Sequence, residues 1–169
     1  HWGIKPDIIA LAKGLAAGYA PLGAMLADDT IIEAVLDAGG FQHGYTYAGN
    51  PLAIAAAHAV IDVMADEKLP ERGVKLGEQL KSVLNGLKPR VKQIADVRGL
   101  GAMVAVEFNN AQGDPDADFT KRVQAEALKR KLILLTCGVN ANVVRFLFPL
   151  TTTQAVFDEA MGIISESLL

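Results

Sequence analysis

Residues 7–27 read DIIALAKGLAAGYAPLGAMLA, an apolar run with one internal charge, Lys13, interrupted by glycine at 14, 18 and 23 and by proline at 21. Few structures accept such a segment. Glycine and proline rule out one continuous helix across it. The interruptions also leave it short of the roughly 18–20 unbroken apolar residues that a bilayer crossing needs. What remains is strand, loop, strand. DIIAL after Pro6 predicts a short buried strand, Lys13 to Gly23 a glycine-rich loop, and AMLA a second short strand.

The segments that follow alternate with helices. DDTIIEAVLDAGG has acidic residues in its first turn and glycines at its end, the marks of a helix. FQHGYTYAG reads as an irregular aromatic loop. Asn50-Pro51 then supplies an N-cap and a first helical residue. Ile54, Ala57, His58, Ile61 and Met64 recur behind it at helical spacing. A further helix spans about 71–87, with Val74, Leu76, Leu80, Val83, Leu84 and Leu87 as its apolar set, and Lys88-Pro89 ends it. Beyond it IADVRG, GAMVAVEF, LILLT and NVVRFLF are strand-like. FTKRVQAEALKRK and TTTQAVFDEAMGIISESL are amphipathic helices. The expected class is α/β, with residues 1–70 a βα-rich part, 71–92 a connecting helix and 93–169 a smaller α+β part.

Composition excludes several functions. The 169 residues carry a net charge of −3 with both signs interspersed, so no basic surface for nucleic acid is expected. Hydrophobic residues make up 51%, enough to build a core rather than a disordered chain. The one cysteine, Cys137, permits no internal disulfide and fits a reducing, cytoplasmic setting. His1, His43, His58 and Cys137 lack zinc-ligand spacing, so no metal centre is expected. His58 reads as a core or interface residue, and Cys137 as a small buried filler. The opening HWGIKPDII has no methionine and runs almost directly into a strand pattern, as the interior of a longer protein would.

Three residues stand out chemically. A lysine among apolar side chains loses hydration, which favours the free amine that Schiff-base chemistry requires. The competing reading of Lys13 is a buried stem whose ammonium reaches water. Thr46 precedes the helix that opens at Asn50-Pro51, where free N–H groups and the helix dipole favour phosphate; a plain capped turn is the alternative. Arg145 lies inside the apolar strand NVVRFLF and calls for an anionic partner. That partner is either a protein carboxylate or a substrate carboxylate. RGLG at 98–101 is too short for a dinucleotide fingerprint and reads as a bulge or tight turn.

In this order and spacing, PDIIALAKGLAAGYAPLGAML, HGYTYAGNPLAIAAAHAV and LILLTCGVNANVVRFLFPLT resemble the second half of a class III aminotransferase, a pyridoxal-phosphate enzyme of fold type I. The closing segment resembles the 4-aminobutyrate aminotransferases within that family. The resemblance implies the end of a large cofactor-binding domain followed by a small C-terminal α+β domain. It implies that Lys13 holds pyridoxal 5'-phosphate covalently and then moves the substrate proton. It further implies that Thr46 binds the cofactor phosphate of the neighbouring subunit in a homodimer, and that Arg145 takes a substrate carboxylate. The reaction would move the amino group of 4-aminobutyrate to 2-oxoglutarate. Ornithine or acetylornithine aminotransferase, aminomutase and racemase remain alternatives, as does an inactive fragment that only folds or dimerises. The family's first half, with its phosphate-binding turn, ring-stacking aromatic and pyridine-pairing aspartate, has no counterpart in these residues.

Overall fold

Ile8–Leu11, bounded by Pro6 and the glycine-rich loop, form strand β1 in the computed structural model, which describes residues 2–169. The chain divides into two compact units, His1–Glu67 and Lys68–Leu169. In the first, β1 pairs antiparallel with β2 (Ala24–Ala27), Ile8 lying opposite Ala27. A single 3-10 turn, Lys13–Ala16, lies between them. Helix α1 (Asp29–Asp37) starts at Asp28, whose carboxylate accepts the Thr30 N–H. Helix α2 (Pro51–Asp66) starts at Asn50, whose Oδ1 accepts the Leu52 N–H at 3.0 Å, with Pro51 at the first position as expected.

The 3-10 turn rests on α2, and the buried residues of the two elements are alanines, Ala16, Ala53 and Ala57. Small side chains allow that close approach. Two expectations are corrected here. All of β1 is exposed, Ile8 by 52%, because the described residues of this unit supply no second layer over the strand pair. Of the α2 stripe, Ala57 alone is buried; Ile54, Ile61 and Met64 are exposed, and so is His58, which is not a core residue.

The second unit is built around an antiparallel sheet. Helix α3 (Leu69–Leu87) leads into the hairpin β3 (Ile94–Leu100) and β4 (Met103–Phe108). Helix α4 (Ala117–Lys129), strands β5 (Leu135–Cys137) and β6 (Val143–Phe146) and helix α5 (Gln154–Leu168) follow. The strand order is β3-β4-β6-β5. Period-two alternation sends Val104, Val106, Phe108, Val144 and Phe146 to one face. There they join Leu76, Leu80 and Leu84 of α3, Val123 of α4, and Phe157 and Ile164 of α5 in one core. Each buried leucine contributes about 1.5–3 kcal/mol. LILLT was expected to be strand from residue 132, but β5 begins at Leu135. The Leu132 N–H is used to close the end of α4 on the Ala127 carbonyl, and the Leu134 carbonyl accepts from Gln124 Nε2 at 2.8 Å, so neither group is free for a ladder.

Three contacts fix this frame. Arg72 on α3 donates through Nε to the Leu150 carbonyl at 2.7 Å and through Nη2 to the Thr152 carbonyl, anchoring the turn before α5. Gly77 of α3 faces the β3–β4 turn, where Gly101 adopts φ +56. A Cβ at position 77 would overlap the Gly101 carbonyl oxygen and lie 2.6 Å from its carbon. On the open face, Arg98 Nη1 donates to Asp96 Oδ2 and Glu107 Oε2, each at 2.8 Å. The Arg98 hydrogen bond holds the Asp96 carboxyl below its usual range.

Gly77→Ala is therefore expected to cost more than about 2 kcal/mol through backbone overlap. Gly86→Ala, on the same helix with open space around it, should gain about 0.5–1 kcal/mol. Urea denaturation of the two variants measures the contrast. Asp96 is more acidic folded than unfolded, so its contribution is complete above an ordinary carboxylate pKa of about 4 and fades as pH falls through the lower folded value. The stability gap between the parent chain and Asp96→Asn should accordingly shrink in denaturation curves taken from pH 5 down to pH 2.

Candidate active site

Lys13 opens the 3-10 turn with φ +53, a left-handed backbone that costs a side-chain-bearing residue about 1–2 kcal/mol. Glycine would occupy this position without that cost, and Ala17 at the end of the same turn is left-handed too, with φ +48. It borders a shallow recess lined by Ala12, Gly18, Ala20, Pro21, Leu22 and Gly23. Its ammonium has no hydrogen bond or ion pair among the described residues. The expected loss of hydration is not found: Lys13, Ala12 and Gly14 are all exposed. Gly14, Ala17 and Gly18 lack the bulk to shield an ammonium.

Thr46 begins a turn closed by the Ala48 N–H on the Tyr45 carbonyl (2.9 Å) and the Asn50 N–H on the Tyr47 carbonyl (3.1 Å). The chain then enters α2. Thr46 is exposed, as are Tyr45 and Tyr47 beside it. A hydroxyl ahead of a 16-residue helix suits a phosphate group. Lys13 and Thr46 thus belong to one unit, on segments joined by the packing of the 3-10 turn against α2.

Arg145 belongs to the second unit. It is paired with Ala105 on one side and Leu135 on the other. The strand was read as embedding this guanidinium in apolar surroundings. Alternation instead buries Val144 and Phe146 on the helix side and leaves Arg145 exposed on the opposite face. The ion pair with a protein carboxylate that the sequence left open is not formed among the described residues. Arg145 is also the one charged residue lining a cavity of about 250 Å³, whose walls include Leu132, Leu134, Phe146, Phe148 and Phe157.

Sequence reading missed the left-handed backbone of Lys13, which no composition reveals, and the Asp96–Arg98–Glu107 cluster. The cluster did leave a trace: Asp96 and Arg98 are two apart in one strand and so share a face. Of RGLG, which reads as a bulge or tight turn, Arg98, Gly99 and Leu100 end strand β3 and Gly101 alone enters the β3–β4 turn. Cys137 is half-buried rather than fully buried. Among the described residues no group of His, Cys, Asp or Glu is arranged to hold a metal, and no helix is long and apolar enough to cross a membrane.

The 5-aminovalerate aminotransferase DavT of Pseudomonas putida is 41% identical over 165 residues, covering 97% of this chain and 38% of its own length. The 4-aminobutyrate aminotransferase GabT of Escherichia coli is 39% identical, with the same coverage. The chain therefore spans about two fifths of the curated relatives it matches. Among solved structures, a transaminase from the marine bacterium Virgibacillus superposes with a TM-score of 0.89 at 29% identity, over 99% of this chain and 40% of that one. An amine transaminase from an uncultivated Pseudomonas species, described in its PLP-bound form, gives 0.83 at 37% identity over 99% of this chain and 38% of its own. These neighbours share the fold type I transaminase architecture, and the sequence profile of Aminotransferase class-III matches residues 1–168. With the lysine turn, the capped helix and the arginine strand inside that match, the chain belongs to the class III aminotransferase family.

Proposed function

We propose that this chain carries the second-half active-site residues of a pyridoxal-phosphate-dependent aminotransferase that transfers the amino group of 4-aminobutyrate to 2-oxoglutarate, giving succinate semialdehyde and glutamate. The observation that carries the reading is the 39–41% identity, over 97% of the chain, to aminotransferases named for 4-aminobutyrate and 5-aminovalerate. The second name supports a longer donor, 5-aminovalerate, as the alternative. On this reading the first unit is the end of the large cofactor domain and the second is the small domain.

The residues present fit the cofactor chemically. An amine with no partner among the described residues, on a glycine-bordered turn, suits an aldehyde, and a hydroxyl before a long helix suits a phosphate. Bound pyridoxal phosphate supplies the electron sink. Lys13 would hold the cofactor, and its free amine would move the proton at the substrate carbon that carries nitrogen. Thr46 would donate its hydroxyl to the phosphate of a second copy's cofactor, and the working unit would then be a homodimer. Arg145 would hold the carboxylate that 2-oxoglutarate and glutamate share, the substrate and product of the half-reaction that accepts the amino group. A cytoplasmic setting agrees with a single cysteine free of disulfide bonding.

In a full-length enzyme, Lys13→Ala should abolish the cofactor-sized mass increment on the 13-containing peptide after borohydride reduction. It should also lower kcat by about 10²–10⁴-fold. An increment that survives at Lys13→Ala refutes its role. Arg145→Gln should raise the KM for 2-oxoglutarate by about 10–100-fold, the worth of a charged hydrogen-bond pair. Glutamate formation from 4-aminobutyrate, compared with 5-aminovalerate and ornithine, decides the donor. The isolated 169 residues, with Lys13 exposed, are expected to show no turnover in the same assay.

A further inference from the structure

The sheet register sets up a competition around Arg145. Directly opposed residues of an antiparallel pair share a face, as do residues two apart in one strand. Glu107 lies opposite Asp96 on β3 and Val143 on β6. Ala105 lies opposite Arg98 on β3 and Arg145 on β6. Glu107 is therefore diagonal to an arginine on each side, Arg98 on one and Arg145 on the other, and all three share the open face. Long side chains reach across such a diagonal, and the 2.8 Å bond from Arg98 to Glu107 shows that reach being used. Arg145, the mirror-related arginine, has no carboxylate among the described residues.

We propose that Arg98 is a positioning residue: by holding Glu107 on the β3 side of the sheet, it keeps the Arg145 guanidinium open to a substrate carboxylate. The inference rests on the reading of Arg145 given above. Removing Arg98 leaves Asp96 and Glu107 as like charges directly opposite each other, with Lys88 the remaining cation that acts on Asp96. That arrangement is unfavourable, and Glu107 has one guanidinium left within reach, that of Arg145. Glu107 then occupies the group on which the substrate depends. A purely structural role for Arg98, neutralising two carboxylates on a sheet, gives no such competition.

The test is a cycle in the full-length holoenzyme with Arg98→Gln, Glu107→Gln, the double variant, Arg98→Lys and Arg145→Gln. Arg98→Gln should raise the KM for 2-oxoglutarate about three- to fivefold, as an exposed ion pair competes, with kcat little changed. Glu107→Gln alone and Arg98→Lys should stay near the parent KM. The double variant should return to it, because the competing carboxylate is gone. Phenylglyoxal labelling of Arg145, mapped by peptide mass, should slow in Arg98→Gln and recover in the double variant. An unchanged KM in Arg98→Gln, or a double variant that keeps the raised KM, overturns the inference. Should Arg145→Gln leave the KM untouched, the assignment of Arg145 falls and this inference with it. A raised KM in Arg145→Gln beside an unchanged one in Arg98→Gln removes the present inference alone.

Discussion

Strand β6 is hydrogen-bonded on both sides, to β4 and to β5, and that double pairing dictates where each of its side chains goes. A shift of one residue would exchange the two faces, sending Val144 and Phe146 to water and a guanidinium into the core. Burial of those two residues against α3, α4 and α5 thus sets the register. The register in turn places Arg145 opposite Ala105, whose small side chain leaves room above it. Arg145 is positioned by the apolar residues on either side of it, its side chain making no ion pair among the described residues. The frame of α3 against the β3–β4 turn serves the same end, since β4 carries both Ala105 and Glu107.

The first unit works differently. Its packing rests on alanines where the 3-10 turn meets α2, while both strands and much of α2 keep apolar side chains in contact with water. A two-stranded pair without a covering layer is marginal by itself. The unit holds Lys13 in a strained backbone without the means to dry its surroundings. In the relatives, about three fifths of the length lies outside the region matched here.

The fold was legible in the sequence where one residue type answers one physical demand. Asn50-Pro51 marked the start of α2 and the α3 leucines the core, because capping and helical periodicity are local. Burial was not legible where it depends on partners. DIIAL and the α2 stripe have the pattern of buried elements, yet the pattern names a face and says nothing about what lies on it. Arg145 shows the same limit. Its apolar neighbours suggested immersion, whereas strand alternation separates them from it. Lys13 was found through its lone charge, but the left-handed backbone that isolates its side chain depends on φ, which no residue letter encodes.

The hold of Arg72 on the carbonyls of Leu150 and Thr152 joins segments 78 and 80 residues apart. During synthesis α3 leaves the ribosome long before the turn that it clasps has been made. At about 5–20 residues per second the wait is roughly 4–16 s. For that interval Leu76, Leu80 and Leu84 have neither β6 nor α5 to lie against. The unit Lys68–Leu169 is thus a late-closing structure, its helix face covered only when the last strand and helix have been made.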